Sequence, residues 1–136
     1  MIYALDTNII IHYLRKEPNV RQNFRSAVTN NHHIVIPQVV DYELKRGFRI
    51  ASAPKQEANY KLLLRDCAVA TMDIQAWEYA GKVYESLYHK RLTVGELDML
   101  IGAFCVAKGY TLVTNNTGDF INMDELKLVD WVQPSS

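Results

Sequence analysis

The stretch from Thr93 to Phe120 constrains the fold most. Its centre, Glu96 to Lys108, has the apolar spacing of a helix, Gly109 stops that helix, and Tyr110 to Val113 follows as a short apolar strand opening into a polar loop. Leu97, Ile101, Phe104 and Cys105 recur at the spacing of one buried face. Asp98, three before Ile101 and seven before Cys105, sits on the edge of that face. A carboxylate stands where a core residue would go. An ionised carboxylate is costly to bury alone, so the chain has to supply a cation, a hydrogen-bond network or a water-filled site around it.

The same alternation of helix and short strand runs through the chain. Ile2 to Leu5 reads as a strand, followed by Asp6-Thr7-Asn8 and a helix from Ile9 to about Lys16. A helix over Val20 to Asn30 precedes a second strand, His33 to Ile36. Pro37 starts a helix with Val40, Leu44 and Gly47 on one stripe, broken at Ala53-Pro54. Lys55 to Arg65 makes another helix, carrying Tyr60, Leu63 and Leu64, and leads to a third strand, Cys67 to Ala70. Asp73 caps a long helix whose Ile74, Trp77, Ala80, Val83, Tyr84 and Leu87 read as core and helix-packing residues. Lys127 to Val129 is a weak last strand, and Pro134-Ser135-Ser136 reads as a plain frayed end. Strands alternating with helices predict an α/β fold, a central parallel sheet flanked by helices, in one domain over residues 1–136.

Composition narrows the function. Lysine plus arginine balances aspartate plus glutamate at 15 each, so no global basic footprint marks a nucleic-acid binder, and a polyanion has to be held by a local patch or through metal. Two such patches exist, Lys45-Arg46 with Arg49, and His89-Lys90-Arg91; clusters of this kind are usually solvated faces. Two cysteines, Cys67 and Cys105, match no zinc spacing and make no disulfide scaffold, which favours a reducing, cytoplasmic compartment. No run approaches the roughly 18 apolar residues of a membrane span.

Glycine-rich phosphate loops, Gly-x-Ser-x-Gly elbows, His-Glu-x-x-His and Cys-x-x-Cys pairs are all missing. Four acids remain: Asp6 after the first strand, Glu43 in the stripe of its helix, Asp98, and Asp119 in the loop after Val113. Each has an ordinary reading too. Asp6 or Thr7 serves as a helix cap, and Glu43 as a boundary residue reaching to water. In a parallel sheet, however, Asp6 and the loop holding Asn115, Asn116 and Asp119 open at one edge, the edge where ligands collect. Two carboxylates about 4 Å apart repel by roughly 4 kcal/mol at an effective dielectric near 20. A cluster of such groups protonates or takes up a cation, and oxygen ligands favour Mg²⁺ or Mn²⁺. That chemistry suits hydrolysis of a phosphodiester.

Leu5-Asp6-Thr7-Asn8 after a first strand, Glu43 in a mid-chain helix, Asp98-x-x-Ile101 opening a later helix, and Val113-Thr114-Asn115-Asn116 before Asp119-Phe120 together resemble the PIN-domain family, specifically its VapC-type toxins. The resemblance implies a Mg²⁺-dependent endoribonuclease that cuts a tRNA or another structured RNA. It also implies silencing by a VapB-like antitoxin, and a homodimer or a higher toxin–antitoxin assembly. Carried over by position, Asp6, Glu43, Asp98 and Asp119 are the acidic metal-site residues, Asn116 supports them, and Thr7, Asn8 and Thr114 orient them by hydrogen bonds. One departure is that many PIN nucleases place an acid where Asn116 stands. Two other readings compete. One is an inactive binding or regulatory module of the same fold; the other is a metal-independent ribonuclease using His12 or His89 with a nearby lysine, although no spacing brings those histidines together.

Overall fold

In the computed structural model, which describes residues 1–133, five strands form a single sheet. They are β1 (Ile2–Leu5), β2 (His33–Pro37), β3 (Ala68–Ala70), β4 (Thr111–Val113) and β5 (Lys127–Val129). Their order is β3-β2-β1-β4-β5, and every neighbouring pair is parallel. From the central β1 the chain moves outward through β2 and β3, then returns across the sheet to β4 and β5. Tyr3 stands opposite both Ile34 and Thr111, and Ala4 opposite both Val35 and Leu112. The sheet therefore has its topological switch point between β1 and β4, where an open α/β sheet leaves a crevice at the strands' carboxyl ends.

Among the described residues six α-helices surround it: α1 (Thr7–Leu14), α2 (Pro18–Thr29), α3 (Gln38–Ala51), α4 (Pro54–Leu63), α5 (Ile74–His89) and α6 (Glu96–Lys108). The α/β class and the parallel sheet agree with the sequence reading, and the boundaries shift where caps decide them. The helix expected from Ile9 to about Lys16 runs from Thr7 to Leu14, because Asp6 caps it and Lys16 turns to φ 64°. Pro37 is the last residue of β2 and the cap of α3 rather than its first turn. Ser52 at φ 48° ends α3, and Pro54 opens α4 at a position that needs no N–H donor. The residues expected to fray, 134–136, lie outside the described ones.

Two packing expectations are corrected. The helix α6 buries more than one stripe: Met99, Ile101, Gly102, Ala103, Phe104 and Cys105 are all buried, while Leu97 is only partly so. It therefore runs through the interior, and Gly109 at φ 72° turns the chain into β4. On α5 the expected core residues Ile74, Trp77 and Tyr84 are 78%, 52% and 56% exposed. Its buried residues are Ala76, Ala80 and Leu87, with Val83 partly covered. Both sets fit a helical period, so α5 carries two apolar stripes; the one with small alanines lies against α6 and the aromatic one is left outside.

Candidate functional site

The sheet delivers Asp6 and Thr114 side by side, because β1 and β4 are neighbours and both end there. The Asp6 N–H donates to the carbonyl of Val113 at 2.9 Å and the Thr114 N–H to that of Val129 at 2.9 Å, which closes the ladder to the edge of the crevice. Asp6 is only 4% exposed and Thr114 is fully buried. The Asp6 carboxylate accepts three hydrogen bonds: from the Thr7 backbone N–H at 2.8 Å on Oδ1, and from Thr114 Oγ1 at 2.8 Å and Asn8 Nδ2 at 3.1 Å on Oδ2. Asn8 also lies 3.3 Å from Thr114 Oγ1 and accepts from the Asn115 N–H at 3.0 Å, so it ties the start of α1 to the loop after β4.

Glu43 is half-buried on the second turn of α3, where its Oε1 accepts from Thr7 Oγ1 at 2.9 Å. Thr7 thus bridges two acids, donating its backbone N–H to Asp6 and its hydroxyl to Glu43. Asp98 is half-buried in the first turn of α6, behind the cap residue Gly95, where a Cβ would come within 3.5 Å of its Oδ2. Asp119 is exposed on a short 3₁₀ turn, Thr117–Phe120, anchored by the buried Phe120. Asn116 contributes its backbone N–H, which donates to Thr114 Oγ1 at 3.0 Å, and its side chain is exposed.

Two of the acids respond to their neighbours. Burial first, and Glu43 to a smaller degree, raise the pKa of Asp6 in spite of its three donors. Burial, then the charge of Asp6, then that of Asp119, raise the pKa of Asp98. Elements far apart in sequence have therefore brought four carboxyl groups to one sheet edge. Among the described residues, no three His, Cys, Asp or Glu side chains stand together at metal-ligand spacing. The donor set, carboxylates held by threonine hydroxyls and the Asn8 amide nitrogen, nonetheless has the hard-oxygen chemistry of a Mg²⁺ or Mn²⁺ site. Burial and the charge of Asp6 push the nearby Cys105 thiol up, which keeps it protonated and unsuited to attack. Neither His12 nor His89 enters these hydrogen bonds; His89 lies 4.0 Å from Glu85 on the outside of α5.

Several features were not read from the sequence. Asp41, on the same α3 as Glu43, is buried; it accepts from the Tyr60 hydroxyl at 2.7 Å and pairs with Lys45 at 2.9 Å. The spacing of Asp41, Leu44 and Phe48 was the available signal, since all three share one face. Asp130 accepts from Asn115 Nδ2 at 3.1 Å and extends the Asn8 network to the end of β5. Of the two basic patches, Lys45 is engaged by Asp41, Arg46 lies 5.2 Å over the Tyr42 ring, and Lys90 pairs with Asp124 at 2.7 Å.

The PIN domain family profile matches residues 3–126. Ribonuclease VapC2 of Rickettsia felis is 32% identical over 134 residues, covering 96% of this chain and 98% of that protein. The tRNA(fMet)-specific endonuclease VapC of Salmonella typhimurium is 27% identical over 131 residues, covering 95% of this chain and 97% of that one. Among solved structures, VapBC2 from Rickettsia felis bound to a DNA fragment from its promoter superposes with a TM-score of 0.90 at 28% identity, covering 96% of this chain and 99% of that chain.

Proposed function

The chain belongs to the PIN-domain family, and from that premise we propose that it is a VapC-type ribonuclease toxin restrained by a VapB-like antitoxin. The relatives named as ribonucleases match over nearly their full length, and a solved neighbour is a VapBC complex, which supports both halves of the reading. The observation that supports the chemistry is the meeting of acids at the carboxyl edge of β1 and β4, where Thr7 joins Asp6 to Glu43 and Asp98 lies within reach of the charges of Asp6 and Asp119. Asp6 and Asp98 would be the direct ligands of a Mg²⁺ or Mn²⁺ ion, with Glu43 and Asp119 completing the acidic set. When bound, such an ion neutralises a phosphate and lowers the pKa of a water.

The chain's own groups prepare the site. Thr114 and Asn8 hold one oxygen of Asp6, the Thr7 N–H holds the other, and the Thr7 hydroxyl fixes Glu43. These neutral donors keep carboxylates oriented without cancelling their charge, which leaves that charge for a cation. The substrate we assign is a tRNA or another structured RNA, cut by phosphodiester hydrolysis in the cytoplasm by a homodimer. Among the described residues, no helix is long and apolar enough to cross a membrane.

The test is cleavage of a total small-RNA pool by antitoxin-free protein with Mg²⁺ or Mn²⁺, with excess chelator, and with Asp98→Asn as control. Discrete cuts that require metal and vanish in the variant are expected. Cuts that survive chelator would move the chemistry to the histidines, and no cuts under any condition would leave a binding module. Light scattering on the same sample reads the oligomeric state.

A further inference from the structure

Gly102 stands in the middle of α6, one turn after Asp98 and on the same side of the helix. Glycine is less favourable than alanine inside a helix, so its place there needs a reason. A Cβ at Gly102 would fall 2.5 Å from both Sδ and Cε of Met123, and 3.4 Å from Leu126 Cδ2. The missing methyl is therefore a notch that holds the end of Met123. Met123 is buried, while its neighbours Ile121, Asn122, Asp124 and Glu125 are exposed. Between Phe120 and Leu126 it is the side chain that fastens the chain to the interior. The fastened segment begins at Asp119. Asp119 and Met123 are four residues apart, as are Asp98 and Gly102, and the two pairs match end to end. Met123 sits at Gly102, and the charge of Asp119 reaches Asp98, whose pKa it raises after burial and the charge of Asp6. The link between the two ends is short and tied: the Met123 N–H donates to the Phe120 carbonyl at 3.0 Å, and the Asp119 N–H to that of Asn116 at 3.0 Å.

Resting on the metal-site reading of the acidic edge, we propose that Gly102 and Met123 are positioning residues, whose contact sets the place of Asp119 against Asp98 and so the fit of the fourth carboxylate to a divalent cation. Asp6 and Glu43 are aimed by hydrogen bonds from Thr7, Asn8 and Thr114. Among the described residues no such bond reaches the Asp119 carboxylate, so packing has to place it. The buried Phe120 fixes one point of its turn, about which an exposed carboxylate still swings. A second anchor laid over α6 removes that freedom. Other reasons for the glycine fit less well. A hinge needs a break in the helix, and α6 runs unbroken from Glu96 to Lys108. Room for a crossing helix would bring that helix's atoms to the Cβ position, and the nearest atoms there belong to Met123 and Leu126, outside any helix. Because Sδ and Cε are the end of a flexible side chain, a methyl at Gly102 leaves α6 whole and displaces Met123 instead. The displaced end has no open solvent to enter, so the segment that carries Asp119 moves with it.

The test uses the full chain. Mn²⁺ binding is measured by calorimetry for the wild type, Gly102→Ala, Met123→Ala and the two combined, each also with Asp119→Asn, on protein shown by circular dichroism to be folded. Gly102→Ala should weaken binding about tenfold, and Met123→Ala, which removes the anchor, should do the same. The combined variant should recover most of that loss, because the new methyl takes part of the space the methionine leaves. In the Asp119→Asn background neither substitution should weaken binding further, since the carboxylate they place is gone. Equal weakening in both backgrounds would show a general loosening of the fold and overturn the proposal, as would unchanged binding in Gly102→Ala and Met123→Ala. If Gly102→Ala does not fold, Met123→Ala with and without Asp119→Asn decides the same question. A wild type that binds no Mn²⁺, or binds it as well with Asp98→Asn, would bring down the metal-site reading and this proposal with it; binding that needs Asp98 but ignores Gly102 and Met123 brings down this proposal alone.

Discussion

Replacing Asp98 by asparagine should stabilise the metal-free protein at neutral pH while abolishing cleavage. Burial, Asp6 and Asp119 all raise the Asp98 pKa, and no hydrogen bond lowers it, so the ionised group is held at a cost that an amide of the same shape does not carry. Two carboxylates about 7 Å apart at an effective dielectric near 20 repel by ~2.4 kcal/mol. Half exposure and salt reduce that by roughly half. The first turn of α6 gives back about 0.3–0.5 kcal/mol through the helix dipole. The net is about 0.5–1 kcal/mol, or ~2–4 °C in Tm for a chain of this size. The pH dependence fixes the cause. A carboxyl whose folded pKa is raised holds more protons in the folded than in the unfolded state between the unfolded value, about 3.9, and the raised folded one. Wild-type stability therefore falls as pH rises through that window and stays low above it, and the variant lacks this loss. Thermal melts in chelator from about pH 4 to 8 should show the two proteins alike at the acid end and the variant higher at the neutral end. A variant that is not higher at neutral pH, or that is equally higher at pH about 4, would refute the charge argument.

Adding Mg²⁺ or Mn²⁺ at about 100 times its Kd should stabilise the wild type by ~2.7 kcal/mol and leave Asp6→Ala unmoved; calorimetry that finds equal binding to both would place the ion elsewhere. Asn8→Ala removes the link among Asp6, Thr114 and Asn115, so cleavage should fall about 10- to 100-fold with the fold intact by circular dichroism; full activity would make that link dispensable. Tyr60→Phe leaves the buried Asp41 without its 2.7 Å donor and should cost about 1.5–3 kcal/mol in denaturant unfolding, with Lys45 holding the other oxygen; no change would mean that water replaces the hydroxyl.

The sheet was legible because each strand is a short apolar run between turn or cap residues, and parallel alternation then forces Asp6 and the loop after Val113 to the same edge. Glu43 was legible as an acid in an apolar stripe, and its tie to Thr7 needed only that edge. What the sequence hides is whatever two faces share. On α5 the stripes Ile74-Trp77-Tyr84 and Ala76-Ala80-Leu87 have the same period, and only the close approach of α6 decides that the alanines go inside. For Asp41 the spacing with Leu44 and Phe48 signals a buried face, but its partner, a tyrosine hydroxyl from the next helix, is announced by no spacing within α3. The Asn8 bridge spans 106 residues to Thr114 and 107 to Asn115, a distance only the strand order closes.

The helix-cap reading of Asp6 is correct as far as it goes, and a second cap in the same chain shows where it stops. Asp73 caps α5 by accepting from the Ala76 N–H at 2.9 Å, and it pairs with Lys108. Lys108 first and the cap bond second lower its pKa, as expected of a carboxylate placed to stabilise a helix. Asp6 caps α1 and accepts three bonds, each of which lowers its pKa, yet burial and Glu43 leave it raised. A cap selected for stability alone gains from a nearby lysine, not from a second carboxylate at the end of a shared threonine. Donors that orient Asp6 without neutralising it, beside acids that oppose it, make an arrangement that is unfavourable until positive charge arrives. The same capping chemistry thus closes a stabilising ion pair at one helix start and leaves uncancelled negative charge at the other, as the proposed cation site requires.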